Sequence, residues 1–231
     1  MDWTPTPAEL QALATSLVVG ARAVVVALPM ALVAALALSR SRFPGRAALD
    51  AVVHAPLVLP PVVVGYLLLL AFGVQGPIGG ALDRAFGWRL VFTSEAASLA
   101  AGVMAFPLMV RAMRLSLEGV DARLEEAARS LGAGPLDRFL TISLPLALPG
   151  LLSAAVIGFA ACLGEFGAVI TFAANVPGET QTLPLAIYSA LQAPGGEAAA
   201  ARLAALSFTL AVAGLVVSEA LARRANVWIG R

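Results

Sequence analysis

The sequence predicts an all-α membrane protein with five transmembrane helices. Three observations carry that expectation. Of the 231 residues, 60% are hydrophobic and 13% charged, where a soluble domain runs at about 45–50% and about 25%. Too little polar surface remains to cover a water-soluble globule. The apolar residues come in long continuous runs and not in the alternation of a membrane β-barrel, so the element facing lipid is the helix, whose backbone groups satisfy one another. Cys162 is the only cysteine, which excludes a disulfide framework.

Stretches of about 20 apolar residues, the length needed to cross hydrocarbon at about 1.5 Å per residue, place spans at 13–38, 51–72, 94–113, 146–172 and 203–221 within a single transmembrane domain, 1–231. Pro29, Pro60, Pro61 and Pro107 lie inside them and are expected to kink helices without ending them, because neighbouring helices satisfy the freed carbonyls. The first ten residues carry Asp2 and Glu9 and no basic residue, unlike a cleavable signal.

All 15 basic residues are arginine, balanced by 14 acids. A net charge of +1 gives nucleic acid no purchase. What matters is placement. Arg40, Arg42, Arg46, Arg111, Arg114, Arg123, Arg129, Arg138, Arg223, Arg224 and Arg231 fall at one end of the spans, and Arg84, Arg89 and Arg202 at the other. By the positive-inside rule the arginine-rich end is cytoplasmic, the N-terminus outside and the C-terminus inside. Two outer connections are long. Residues 75–92 hold a Gly-Pro and a Gly-Gly pair, and 174–202 hold an apolar stretch, 183–191, too short to span and read as a helix at the outer face.

The third connection, 119–145, carries the most information. Asp121 is placed to cap a helix whose apolar positions Leu124, Ala127, Ala128 and Leu131 follow helical spacing. Gly132 supplies a left-handed stop. Gly134-Pro135 turns the chain, with Pro135 as first residue of a second helix whose apolar face is Leu136, Phe139 and Leu140. The chain re-enters lipid at Leu144-Pro145. A compact helix–turn–helix knuckle of this kind suits insertion into a partner's groove; as a bare pattern it also fits an amphipathic surface element.

Glu126-Ala127-Ala128, three residues, Gly132, nine residues, Ile142, one residue, Leu144-Pro145 resembles the EAA loop of permease subunits of ABC importers. The resemblance implies a type I importer permease in which this loop is the coupling helix docked on a separate ATP-hydrolysing subunit. The run Pro60-Pro61-Val62-Val63-Val64-Gly65-Tyr66, together with Phe106-Pro107, Leu163-Gly164-Glu165-Phe166-Gly167-Ala168 and Asn175-Val176-Pro177-Gly178-Glu179-Thr180, is similar to molybdate permeases in particular. Sulfate permeases are similar in fold and loop, but are usually longer and more often carry Tyr where this chain has Phe166. The implied assembly is a homodimer, with two ABC ATPases inside and a periplasmic molybdate-binding protein outside, importing molybdate or tungstate. Sulfate, thiosulfate or another oxyanion is the alternative cargo.

The chain contains no Gly-x-x-x-x-Gly-Lys-Ser/Thr loop and no lysine, so ATP chemistry belongs to a partner. An intramembrane protease would need a Ser–His pair or paired aspartates, yet His54 stands alone and no aspartate lies within a span. No metal set and no cofactor are expected. A transport path must admit a dianion without holding it. Ser153, Thr171 and Ser207 are candidate lining hydroxyls, against the alternative that each bonds its own helix. Pro60, Pro61 and Gly65 in span two, and Gly164, Glu165 and Gly167 in span four, are candidate gating positions or sites of tight helix crossing. Arg22 and Glu165 are the two buried charges, expected to pair or to cap loosened backbone; Arg22 alternatively snorkels outward. Cys162 reads as core packing.

Overall fold

The computed structural model describes residues 3–40 and 43–228. Arg42 and Arg231, counted above for orientation, lie outside the described residues, as do the side chains of Arg40, Arg223 and Arg224. No strand occurs among the described residues. The elements are α1 (Pro7–Arg40), α2 (Arg46–Val58), α3 (Pro61–Phe72), α4 (Gly79–Phe86), α5 (Ser94–Glu118), α6 (Ala122–Ser130), α7 (Pro135–Arg138), a π-helical turn (Phe139–Ser143), α8 (Leu144–Gly164), α9 (Gly167–Ala173), α10 (Leu183–Gln192) and α11 (Glu197–Trp228).

Four helical stretches are long and apolar enough to cross a membrane: Pro7–Ser39, Ser94–Glu118, Pro135–Gly164 and Glu197–Gly214; α2 and α3 reach that length and apolarity only as a pair, which makes a fifth when the bent pair is counted as one span. The hub is α5, whose most apolar stretch is 61% buried against 33% for α1 and 11% for α11. Lipid gives helices no hydrophobic reason to associate, so close packing by small residues has to do it. The sequence supplies two stripes at intervals of four: Val19, Ala23, Ala27, Ala31 and Ala35 on α1, and Ala97, Ala101, Ala105, Met109 and Met113 on α5, all buried. Thr93 caps α5, its hydroxyl accepting from Ala96 N–H at 3.2 Å.

Pro29 and Pro107 sit within unbroken helices, as expected in lipid. Pro60-Pro61 does more. The second span is not one kinked rod: α2 and α3 meet at 117°. Leu59 and Pro60 are both extended, at φ −75°, ψ 142° and φ −57°, ψ 135°. Two consecutive prolines remove two donors, and the second forbids the helical region to the first. The fourth span is broken as well. It ends as α8 at Gly164 and resumes as α9 at Gly167, with Glu165 extended at ψ 129°. At its other end it runs back without interruption through the π turn to Pro135, so the knuckle's second helix and span four are one rod and Leu144-Pro145 is no boundary.

Both long connections carry helices, α4 and α10. Leu183, Leu185 and Ala186 of α10 are buried, and Leu183 N–H donates to Ser16 Oγ at 2.7 Å. The same end of α1 is tied to α11 by Glu9 and Arg202, whose carboxylate and guanidinium meet at 2.8 Å with the Glu9 side chain 6% exposed.

Candidate functional site

Two places gather the residues singled out from the sequence. The first is the knuckle. Asp121 Oδ1 accepts from Arg123 N–H at 2.9 Å and so caps α6. The helix closes in a Schellman turn: Gly132 N–H donates to Arg129 O and Ala133 N–H to Ala128 O, each at 3.0 Å, with Gly132 at φ +89°. Pro135 then opens α7. No residue of α6 is buried. Asp121, Leu124, Glu126, Ala127, Leu131 and Gly132 are exposed, Ala128 half-buried, and Ile142, Leu144 and Pro145 lie at the base of the rod behind them. Leu124, Leu131, Leu136 and Leu140 are 47–89% exposed, an apolar group on a projecting, otherwise polar element.

Two residues that sequence reasoning did not single out fix this knuckle to the body. Glu125 accepts a hydrogen bond from Ser143 Oγ, and Ser143 is fully buried at the end of the π turn. At the same base, Ser116 Oγ of α5 donates to Ala147 O at 3.3 Å. No sequence signal locates Ser143, because a π turn shifts the helical register by one residue.

The second place is where the two broken spans cross. A Cβ on Gly65 would come 2.7 Å from Ala168 O and 2.8 Å from Thr171 Cβ, and one on Gly167 would come 2.8 Å from Pro61 Cβ. These glycines let α3 and α9 touch backbone to backbone. Phe72 and Phe172 close the far end of the crossing, edge to face at 6.2 Å. The structure thus brings Gly65 to Thr171 and Pro61 to Gly167, while Pro60, Gly164 and Glu165 lie at the two chain breaks beside this crossing. Ser153 is not among them; it lies twelve residues before Glu165, about 18 Å along the helix. Gly164 is exposed and has room for a side chain.

Glu165 Oε1 accepts from Ala168 N–H at 2.8 Å, capping the break where a carboxylate suits a helix start. Arg22 is not its partner. The Arg22 guanidinium donates to Ser94 Oγ at 2.9 Å and Glu95 Oε1 at 3.1 Å, both in the first turn of α5. Ala23 sits beside Gly102, so the side chain of Arg22 reaches back toward the start of α5, as a snorkelling arginine does. Thr171 and Ser207 donate to the carbonyls of Gly167 and Leu203 in their own helices, at 2.8 and 2.9 Å, which is the local alternative to lining a path. Within the break, Phe166 packs against Tyr188 with ring centroids 5.3 Å apart and planes tilted by 55°. Next to it Asn175 and Gln181 form a polar cluster with Ser189, bonded at 2.8 and 3.4 Å. Cys162 is buried. Among the described residues, no group of three or more His, Cys, Asp or Glu could hold a metal ion.

Comparison with known proteins places this geometry. Residues 27–227 match the family described as binding-protein-dependent transport system inner membrane component. The chain is 54% identical over 226 residues to the molybdenum transport system permease protein ModB of Escherichia coli, covering 98% of this chain and 99% of that one. It is 48% identical to the Haemophilus influenzae protein of the same name, covering 96% and 97%. Its fold is similar to that in the inward-facing MetNI methionine ABC transporter, with a TM-score of 0.69 at 19% identity, over 94% of each chain.

Proposed function

The chain belongs to the binding-protein-dependent transport system inner membrane component family, and we propose that it is the membrane subunit of an ATP-driven importer carrying molybdate into the cytoplasm. It is a multi-pass inner membrane permease of the type I ABC importer fold and not an enzyme. The observation that carries the cargo is near-full-length 54% identity to a protein named for molybdenum transport.

In this reading the knuckle faces the cytoplasm, in accord with the eleven arginines at its end of the spans. The N-terminus is outside and the C-terminus inside. The exposed leucines of α6 and α7 seat in a groove of an ABC ATPase, where Asp121, Glu126, Ala127, Ala128 and Gly132 set the shape of the docking helix, and Ile142, Leu144 and Pro145 continue it into span four. Two copies of the single permease domain form the pathway between them and present two knuckles to two ATPases. A periplasmic oxyanion-binding protein delivers cargo to the α4 and α10 connections. The broken spans at Pro60-Pro61 and Glu165-Phe166 are the bending points for alternating access. Engagement of the Glu165 carboxylate by backbone N–H mutes a charge that would repel the anion.

Uptake in cells lacking their own molybdate permease tests the assignment. The chain, expressed with its ATPase and binding protein, is expected to restore molybdate uptake that excess sulfate does not suppress. Suppression by sulfate at equal concentration assigns the general oxyanion instead.

A further inference from the structure

We infer that the Glu125–Ser143 hydrogen bond is a coupling strut: it makes α6 and the rod from Pro135 to Gly164 move as one body, so that a displacement of the knuckle reaches span four undiminished. The inference rests on the reading of α6 as the ATPase-docking helix and adds to it how the motion leaves that helix.

Since α6 buries none of its residues, packing alone does not fix its angle to the body. Its covalent exit to the rod is Gly132-Ala133-Gly134, a short turn with two glycines and a left-handed residue, and glycine is the residue least resistant to bending. A push on α6 carried to the rod through that turn alone would be absorbed in part as rotation about it. Glu125, in the middle of α6, supplies a second attachment by accepting from Ser143 Oγ. Together with the short links at its two ends, 119–121 from α5 and 132–134 to the rod, this tie from the middle of the helix fixes an angle that the end links alone leave free to pivot.

The π turn explains how Ser143 comes to be available. Leu144 N–H donates to Phe139 O, five residues back, so one extra residue is wound into the turn. Ser143 is thereby placed fully inside, on the side where Ala147 is also buried and Ser116 holds its carbonyl. Single π turns within α-helices recur at functional positions. A carboxylate–hydroxyl bond is among the stronger neutral-donor pairs, and losing either partner leaves the other's polar atom at a buried boundary. Ser143 and Glu125 bond each other and act through the helices that they join; they are positioning residues, and coupling is what they should change.

The test uses the full complex with its ATPase and binding protein in proteoliposomes, reading phosphate released per molybdate imported. Ser143→Ala and Glu125→Ala are each expected to raise that ratio about threefold or more, and the double variant no further than Glu125→Ala alone, since both changes remove the same bond. The ATPase is expected to co-purify in unchanged amount. Glu125→Gln, which keeps an acceptor oxygen, is expected to stay within about twofold of the parent. The inference is overturned if both alanine variants keep the parental ratio, if their effects add, or if either loses the ATPase, which would make the bond part of assembly. Should Ser143→Ala not fold, Glu125→Ala, on a half-buried side chain, decides alone. Failure of the docking reading shows separately, as absence of a cross-link between the ATPase and a Leu131→Cys chain that is otherwise parental.

Discussion

Arg22 and Glu95 form a hydrogen-bonded ion pair at 3.1 Å between α1 and the first turn of α5, with each side chain about half exposed at 49% and 47%. The pair joins two helices that run in the same direction and packs the acid where the α5 dipole favours it. Arg22→Glu is expected to lower the melting temperature of the purified chain by about 2–4 °C, the response of a chain this size to ~1 kcal/mol. Adding Glu95→Arg is expected to recover only part of the loss, because a cation at the start of α5 opposes the dipole. Adding Glu165→Arg is expected to recover none.

The crossing of α3 and α9 depends on two absent side chains. Gly65→Leu drives carbon into Ala168 O and Thr171, and overpacking of this kind costs about 1–3 kcal/mol. Thermal unfolding and molybdate uptake should both fall. Gly164→Ala, at a position with free space, should leave the melting temperature unchanged and serves as the control.

The knuckle's shape rests on its two ends. Gly132→Ala places a Cβ at φ +89° and is expected to cost about 1–2 kcal/mol. Asp121→Ala removes the bond to Arg123 N–H and is expected to cost about 1 kcal/mol. Both should weaken co-purification of the ATPase, Gly132→Ala more, while Ser130→Ala, on the same helix, should not.

Glu9 and Arg202 tie the start of α1 to α11 with little solvent access, at 6% and 18% side-chain exposure. Removing one partner of a buried pair costs about 3–5 kcal/mol, and replacing both by apolar residues is often near neutral. Arg202→Met alone is therefore expected to destabilise strongly, and the double change Glu9→Leu with Arg202→Met to be the more stable of the two by thermal unfolding.

Local signals were legible in the sequence and relational ones were not. The Asp121 cap, the Gly132 stop and the Pro135 start each depend on one residue's own chemistry, and the structure has all three. The prolines divided by number: a single imino acid removes one helical bond, which Pro29 and Pro107 survive, while the pair at Pro60 and Pro61 forces extended backbone. Arg22 found Glu95 and not Glu165 because the partner depends on how far α1 overhangs α5, which no periodicity encodes. Ser143 was hidden because the π turn rotates it out of the 3.6-residue register. The gathering of Gly65 and Gly167 at one crossing likewise needed the fold, although each stood out as a small residue beside a break.

Site-directed cross-linking at the knuckle tests the central claim most directly. A chain with Leu131→Cys, its native Cys162 thiol being buried, is assembled in membranes with its ATPase and treated with a short thiol cross-linker. The account predicts a Leu131→Cys cross-link to the ATPase and protection of that thiol from a membrane-impermeant reagent added outside intact cells, with Trp88→Cys at the opposite end labelled instead. Labelling of Leu131→Cys from outside, or a fully assembled complex in which it never reaches the ATPase, would contradict it.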